Sequence, residues 1–202
     1  MVARAAVCHH VVLLGEAQFT RGTYQNYCEL PFGKVSIPLI DKGRRPLDEI
    51  RPMSWQTFFH GMCAKMISHY PPSRYLDDFI DYFIGLNCES VLEYGFESLR
   101  YLLDKAQFKS AIVVAKTLVP IRPTDPSEWI AELGSKLGGA AYFCSESALT
   151  KYLDVAPFYS REIQVVPQVW NCVGPAYISA IDCLVTQGPY ALRERILSGY
   201  LA

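Results

Sequence analysis

Two words in this chain have residue types that could do nucleophilic chemistry. One is His9-His10-Val11-Val12-Leu13-Leu14-Gly15, an apolar run opened by histidine; the other is Asn87-Cys88-Glu89, at the head of a stretch with helical periodicity. A thiol on the first turn of a helix feels the positive end of the helix dipole, which favours the thiolate. Histidines opening a strand place one ring on each face of a sheet, so one of them can meet a thiol across the core. On this reading Cys88 is a candidate nucleophile and His9 its base, with His10 next if the register differs by one. The competing account is structural: Cys88 lies on the apolar stripe of its helix and packs as a small hydrophobe, and His9 is a hydrogen-bonded polar residue.

Other candidate chemistry is thinner. His60 and Cys63 have the spacing of half a zinc site, with Cys8 and His10 as the other half. Cys63 falls on a buried helical stripe and no second close cysteine pair exists, so no metal is expected. Asn171-Cys172 is a second Asn-Cys pair and ranks behind Cys88. No phosphate-binding glycine loop, dinucleotide fingerprint or Gly-x-Ser-x-Gly elbow occurs, so no cofactor is expected. Thirteen tyrosines stand out. Tyr24 and Tyr27 share a loop-like or edge segment where no helical stripe demands them, which makes them candidate interface residues.

The elements that must position these groups follow from pattern and punctuation. Short strands are expected over Ala5–Leu14, Gly22–Leu30 and Val35–Ile40. Trp55, Phe59, Met62, Cys63 and Met66 share one helical face that ends at Pro71-Pro72, and Ser73 caps a second helix burying Leu76, Phe79 and Phe83. A third helix is expected from Asn87, with Val91, Leu99, Leu102 and Leu103 inward and Glu89, Glu93, Glu97 and Arg100 facing water. Beyond Lys105, Ser110–Val119 reads as a buried strand, and Asp125-Pro126-Ser127-Glu128 is a strong helix start. Ala140–Phe143 and Ile163–Trp170 read as extended segments, Glu146–Leu153 as a helix, and Pro175–Val185 and Tyr190–Leu197 as two terminal helices. The fold class is α+β: a single domain over residues 1–202 with a small N-terminal strand group, a three-helix middle and an α/β C-terminal half, and a candidate sub-boundary at 120–126.

Composition narrows the partners. Nineteen basic against twenty acidic residues leave a net charge of -1, and the one tight basic cluster, Lys42, Arg44 and Arg45, is too small to track phosphates, so nucleic acid is not expected. The apolar runs fall short of the roughly 20 residues of a membrane span, and no signal peptide is evident. Seven irregularly spaced cysteines suit reduced thiols in the cytoplasm.

The His9–Gly15 and Asn87–Val91 words together resemble the H-box/NC family, the lecithin:retinol acyltransferase-like branch of the NlpC-type papain-like superfamily. There a histidine starts a strand and an Asn-Cys-Glu-His-Phe box opens a later helix. The resemblance implies a thiol acyltransferase or hydrolase using Cys88 and His9. It departs from the family at Ser90-Val91, in place of His-Phe, and near Arg21, where the family's third polar residue has no counterpart. Without that orienting group the resemblance equally implies a non-catalytic scaffold, as in some small viral nonstructural proteins. The leading expectation is therefore a cytoplasmic accessory or regulatory protein that binds another protein, a host factor in translation or innate defence if the viral analogy holds, with the thiol enzyme as the alternative.

Overall fold

The computed structural model describes residues 2–20, 25–40, 43–168 and 179–201. Tyr24, Lys42, Asn171 and Cys172, singled out above, lie outside the described residues. The chain opens with a short helix, α1 (Val2–Ala6), followed by strand β1 (His10–Leu13) and a hairpin of β2 (Tyr27–Leu30) and β3 (Gly33–Ser36). Gly33 closes that hairpin at φ +114°, a left-handed conformation that a side chain would strain.

Three serine caps set the helical middle. Ser54, Ser73 and Ser90 each accept an N–H three residues on, satisfying an otherwise orphaned amide at the starts of α2 (Trp55–His69), α3 (Arg74–Ile84) and α4 (Val91–Lys105). The third helix therefore begins at Val91, not at Asn87. Glu93 fixes this start: its N–H donates to the Ser90 hydroxyl and its carboxylate accepts the Glu89 N–H at 2.7 Å, close to a capping box. Glu93 is thus a cap residue as well as a solvent-facing one.

The remaining elements alternate. β4 (Ala111–Val114) runs directly into α5 (Ala115–Leu118), so the strand expected over Ser110–Val119 is half as long as its apolar run. Next come α6 (Pro126–Lys136), capped by Asp125 with proline in its first turn, and β5 (Ala141–Ser145). After α7 (Glu146–Lys151), α8 (Ala156–Tyr159) and β6 (Gln164–Gln168), the described chain ends in α9 (Ala180–Leu201), two helical segments joined at a kink where Gly188 has φ +87° and Pro189 follows.

β1 pairs in parallel with β4, His10 opposite Ala111 through Leu13 opposite Val114; β5 pairs in parallel with β6, and β2 with β3 antiparallel. The mixed α+β architecture expected from the sequence is present. The main core lies among α2, α3, α4 and α9, where Phe59, Phe79 and Phe83 stack with Trp55 and Tyr101. A smaller cluster around Ala131, Cys144 and Phe158 lies under β5 and β6, and Trp129 anchors another against Val12 and Leu14 beyond β1. Among the described residues no helix is long and apolar enough to cross a membrane.

Candidate functional site

Cys88 sits in the lead-in to α4, two residues before the Ser90 cap, and is 5 % exposed. It is not on the helix's first turn, so its amide dipoles do not favour a thiolate there. Burial, and then the charges of Glu93 and Glu97, push its thiol up to about 11, and the thiol is protonated at neutral pH.

His9 does not meet it. α4 runs antiparallel to β1: near its start Leu92 lies against Gly15, where an added Cβ would be 2.8 Å from Leu92 Cδ2, while farther along Leu99 and Leu103 pack with Ala5 and Val11. Cys88 precedes the end of α4 that lies at Gly15, whereas His9 precedes the first residue of β1, and the charges that act on the Cys88 thiol are those of Glu93 and Glu97. The His9 carbonyl accepts the Ala111 N–H at 2.8 Å, and His10 is exposed at the strand's first position. The two words that suggested a dyad are not brought together.

Tyr27, at the start of β2, is half-buried, and the Lys34 ammonium lies 3.4 Å from its ring centroid, a cation–π contact that covers one face. Among the described residues no group of three histidine, cysteine or acidic side chains is arranged to hold a metal ion.

Sequence reasoning missed the β1–β4 sheet itself. Parallel strands normally have both faces covered, and runs such as Val11-Val12-Leu13 and Ile112-Val113-Val114 have the composition of such strands. Here no residue of β1 or β4 is buried, whereas Gly15 and Ala115, just beyond them, are. Backbone pairing is also one-sided. With the Ala111 N–H directed at His9, the alternation of a strand aims Ala111, Val113 and Val11 into the pair and turns the N–H and C=O of Val12 and Ile112 to the outer edges. Among the described residues neither outer edge carries a further strand.

At the carboxyl end of β1, the Asp48 and Leu47 amides donate to the Gly15 and Ala17 carbonyls. Arg122 donates to the Glu16 carbonyl at 2.9 Å, with its guanidinium 4.6 Å from the Trp129 ring centroid. These contacts tie the turn after β1 to the loops at residues 46–49 and 120–125.

This fold defines a mixed α+β protein with a helical core and short parallel strand pairs, of which β1–β4 has no further strand at its edges among the described residues. The chain belongs to the WbqC-like protein family, whose family model matches residues 2–194. No curated protein and no solved structure matches it. Membership over nearly the whole chain overturns the H-box/NC resemblance, which rested on two short words. The family is a bacterial one, so the viral accessory reading and its host-factor partner fall with it.

Proposed function

We propose that this protein works by binding another protein, which lays an extended segment along an open edge of the β1–β4 sheet. The observation that carries the reading is the exposure of that sheet: two strands of apolar, β-branched sequence are half-covered and have outward backbone donors and acceptors at Val12 and Ile112. A strand added there would satisfy those groups with main-chain hydrogen bonds and cover apolar side chains in the same step. Tyr27 and Tyr24 remain a candidate second contact. A cytoplasmic setting accords with the six described cysteines, all of which are free. The thiol-enzyme alternative draws no support from Cys88, which is buried, protonated and without His9 beside it.

The test is affinity capture from cell extract with wild type and Cys88→Ser, followed by amide hydrogen exchange on the recovered complex. The expected result is a stoichiometric partner retained by both, with the Val12 or Ile112 amide fast-exchanging in the free protein and protected in the complex. Protection confined to other surfaces, or loss of the partner on Cys88→Ser, would overturn the reading.

A further inference from the structure

The outer side of α4 meets β4 in a cavity of about 230 Å³. Its lining is about equally polar and apolar, the apolar part coming from Phe96 and Leu103 of α4, Phe108 of the following loop and Ile112 of β4. The wall at Phe108 is held in place from behind by Arg193, which donates to the carbonyls of Ala106 and Gln107 at 2.8 and 3.0 Å and has its guanidinium 4.7 Å from the Phe108 ring centroid. Ser110, also lining the cavity, donates to the Ala5 carbonyl at 2.7 Å, which leaves its oxygen free to accept.

Two opposite charges flank this cavity. Arg100 and Asp104 both line it and lie one turn apart on α4, the spacing at which such side chains commonly pair, yet no ion pair joins them. Arg100 uses Nη2 on Glu97 and on the Tyr82 hydroxyl, at 2.7 and 2.9 Å, which anchors the side chain and leaves Nε and Nη1 without partners. The Asp104 carboxylate carries no side-chain bond; only its backbone carbonyl is engaged, by the Ala106 and Gln107 amides.

We propose that this cavity binds a free α-amino acid with a branched or aromatic apolar side chain. The ligand's carboxylate bonds the free face of Arg100, its ammonium bonds Asp104, and its side chain fills the space between Phe96, Phe108 and Ile112. Charge and size both select for this class. A ligand with a single charge would leave one of the two side chains unanswered. The volume of about 230 Å³ lies below the roughly 300–1,000 Å³ of pockets for drug-sized ligands, which suits a ligand as small as an amino acid.

The experiment is a titration of the full chain with L-leucine and with L-phenylalanine, followed by amide chemical shifts. Saturable shifts at Phe96, Phe108, Ser110 and Ile112 are expected. N-acetyl-L-leucine, without the ammonium, and L-leucinamide, without the carboxylate, should each bind at least tenfold more weakly, and glycine should not bind. Asp104→Asn, an exposed substitution with no fold contact to lose, should weaken leucine at least tenfold while leaving the weak binding of N-acetyl-L-leucine, which has no ammonium, unchanged. Absence of saturable shifts at these four residues, equal binding of the acetylated and free amino acids, or unchanged leucine affinity in Asp104→Asn would each overturn the proposal.

Discussion

The Tyr70 hydroxyl donates a 2.8 Å hydrogen bond to Oδ1 of Asp182, joining the C-cap of α2 to the first turn of α9. Both residues are 5 % exposed, so the bond is made where water cannot replace it. Ser73, which caps α3, adds a second tie through its hydroxyl to the Val185 carbonyl at 3.0 Å. The terminal helix is thereby fixed to the helical middle at both polar groups that its packing would otherwise leave buried and unsatisfied.

Tyr70→Phe should accordingly cost about 1–3 kcal/mol, the penalty for a buried acceptor deprived of its donor. Tyr70 also supplies a pH dependence. Burial, then the hydrogen bond to Asp182 and its charge, raise the phenol above its ordinary value of 10, and burial raises Tyr142 to about 12. Folding therefore holds these phenols protonated while the unfolded chain releases the protons near pH 10, so stability is full below pH 10 and falls as pH rises beyond it. Urea midpoints measured from pH 8 upward should decline with the onset of tyrosinate absorbance, and less steeply in Tyr70→Phe.

Cys88 should be among the slowest of the described cysteines to react with iodoacetamide at neutral pH, and Cys8 the fastest. Cys88 is buried and its thiol is pushed up to about 11, whereas Cys8 is half-exposed on the turn after α1, with its own thiol raised by burial against the opposing effect of Arg4. Mass-spectrometric mapping of a short labelling pulse reads the order directly. Preferential labelling of Cys88 would show a thiolate that this packing does not support.

Phe59→Ala should cost roughly 3–5 kcal/mol through lost transfer energy and a residual cavity. The ring is 1 % exposed and has Trp55, Phe79 and Phe83 at centroid distances of 5.7, 6.2 and 5.5 Å. Lys65→Ala, on the exposed side of the same helix, should be nearly silent. Glu93→Ala should fall between them, near 1 kcal/mol, because the carboxylate holds the Glu89 amide at the start of α4. Chemical denaturation of the three variants checks the ranking.

The parts legible in the sequence were those set by local signals. Pro71-Pro72, Ser73 and Asp125-Pro126 each act on backbone groups within one turn, and α2, α3 and α6 lie where those residues put them. The start of α4 was harder because Asn87 and Ser90 are both good caps; Glu93, three residues after Ser90, decides between them. The strand expected from Ala5 starts too early, because Ala5 and Ala6 close α1 and a short apolar run has no period to distinguish helix from strand. The turn from β4 into α5 has no side-chain cap at Val114, so nothing local announced it. The open sheet edges were invisible for a different reason: an apolar run signals that a strand is suited to burial, and only tertiary structure shows whether anything covers it. The same holds for Arg100 and Asp104, whose failure to pair is a property of side-chain placement and not of spacing.

Gly188 carries the last prediction. Its φ of +87° lies in the region that side chains rarely adopt, and a Cβ built there would stand 2.6 Å from two ring atoms of Tyr75 and 2.9 Å from its hydroxyl oxygen. Gly188→Ala should therefore be destabilised twice, by about 1–3 kcal/mol of backbone strain at its φ of 87° and ψ of 177° and by the clash against α3. The Tyr75 hydroxyl accepts from Arg74 Nη2 at 2.9 Å, so the ring does not swing aside without breaking that bond. In a double-mutant cycle, Tyr75→Ala should restore the clash component and leave the backbone component, so the double variant should recover part of the loss and no more. Full recovery would mean that the kink before Pro189 tolerates a side chain, and that its left-handed residue is set by Tyr75 alone. No recovery would place the whole cost in the backbone and show that the Tyr75 ring yields freely.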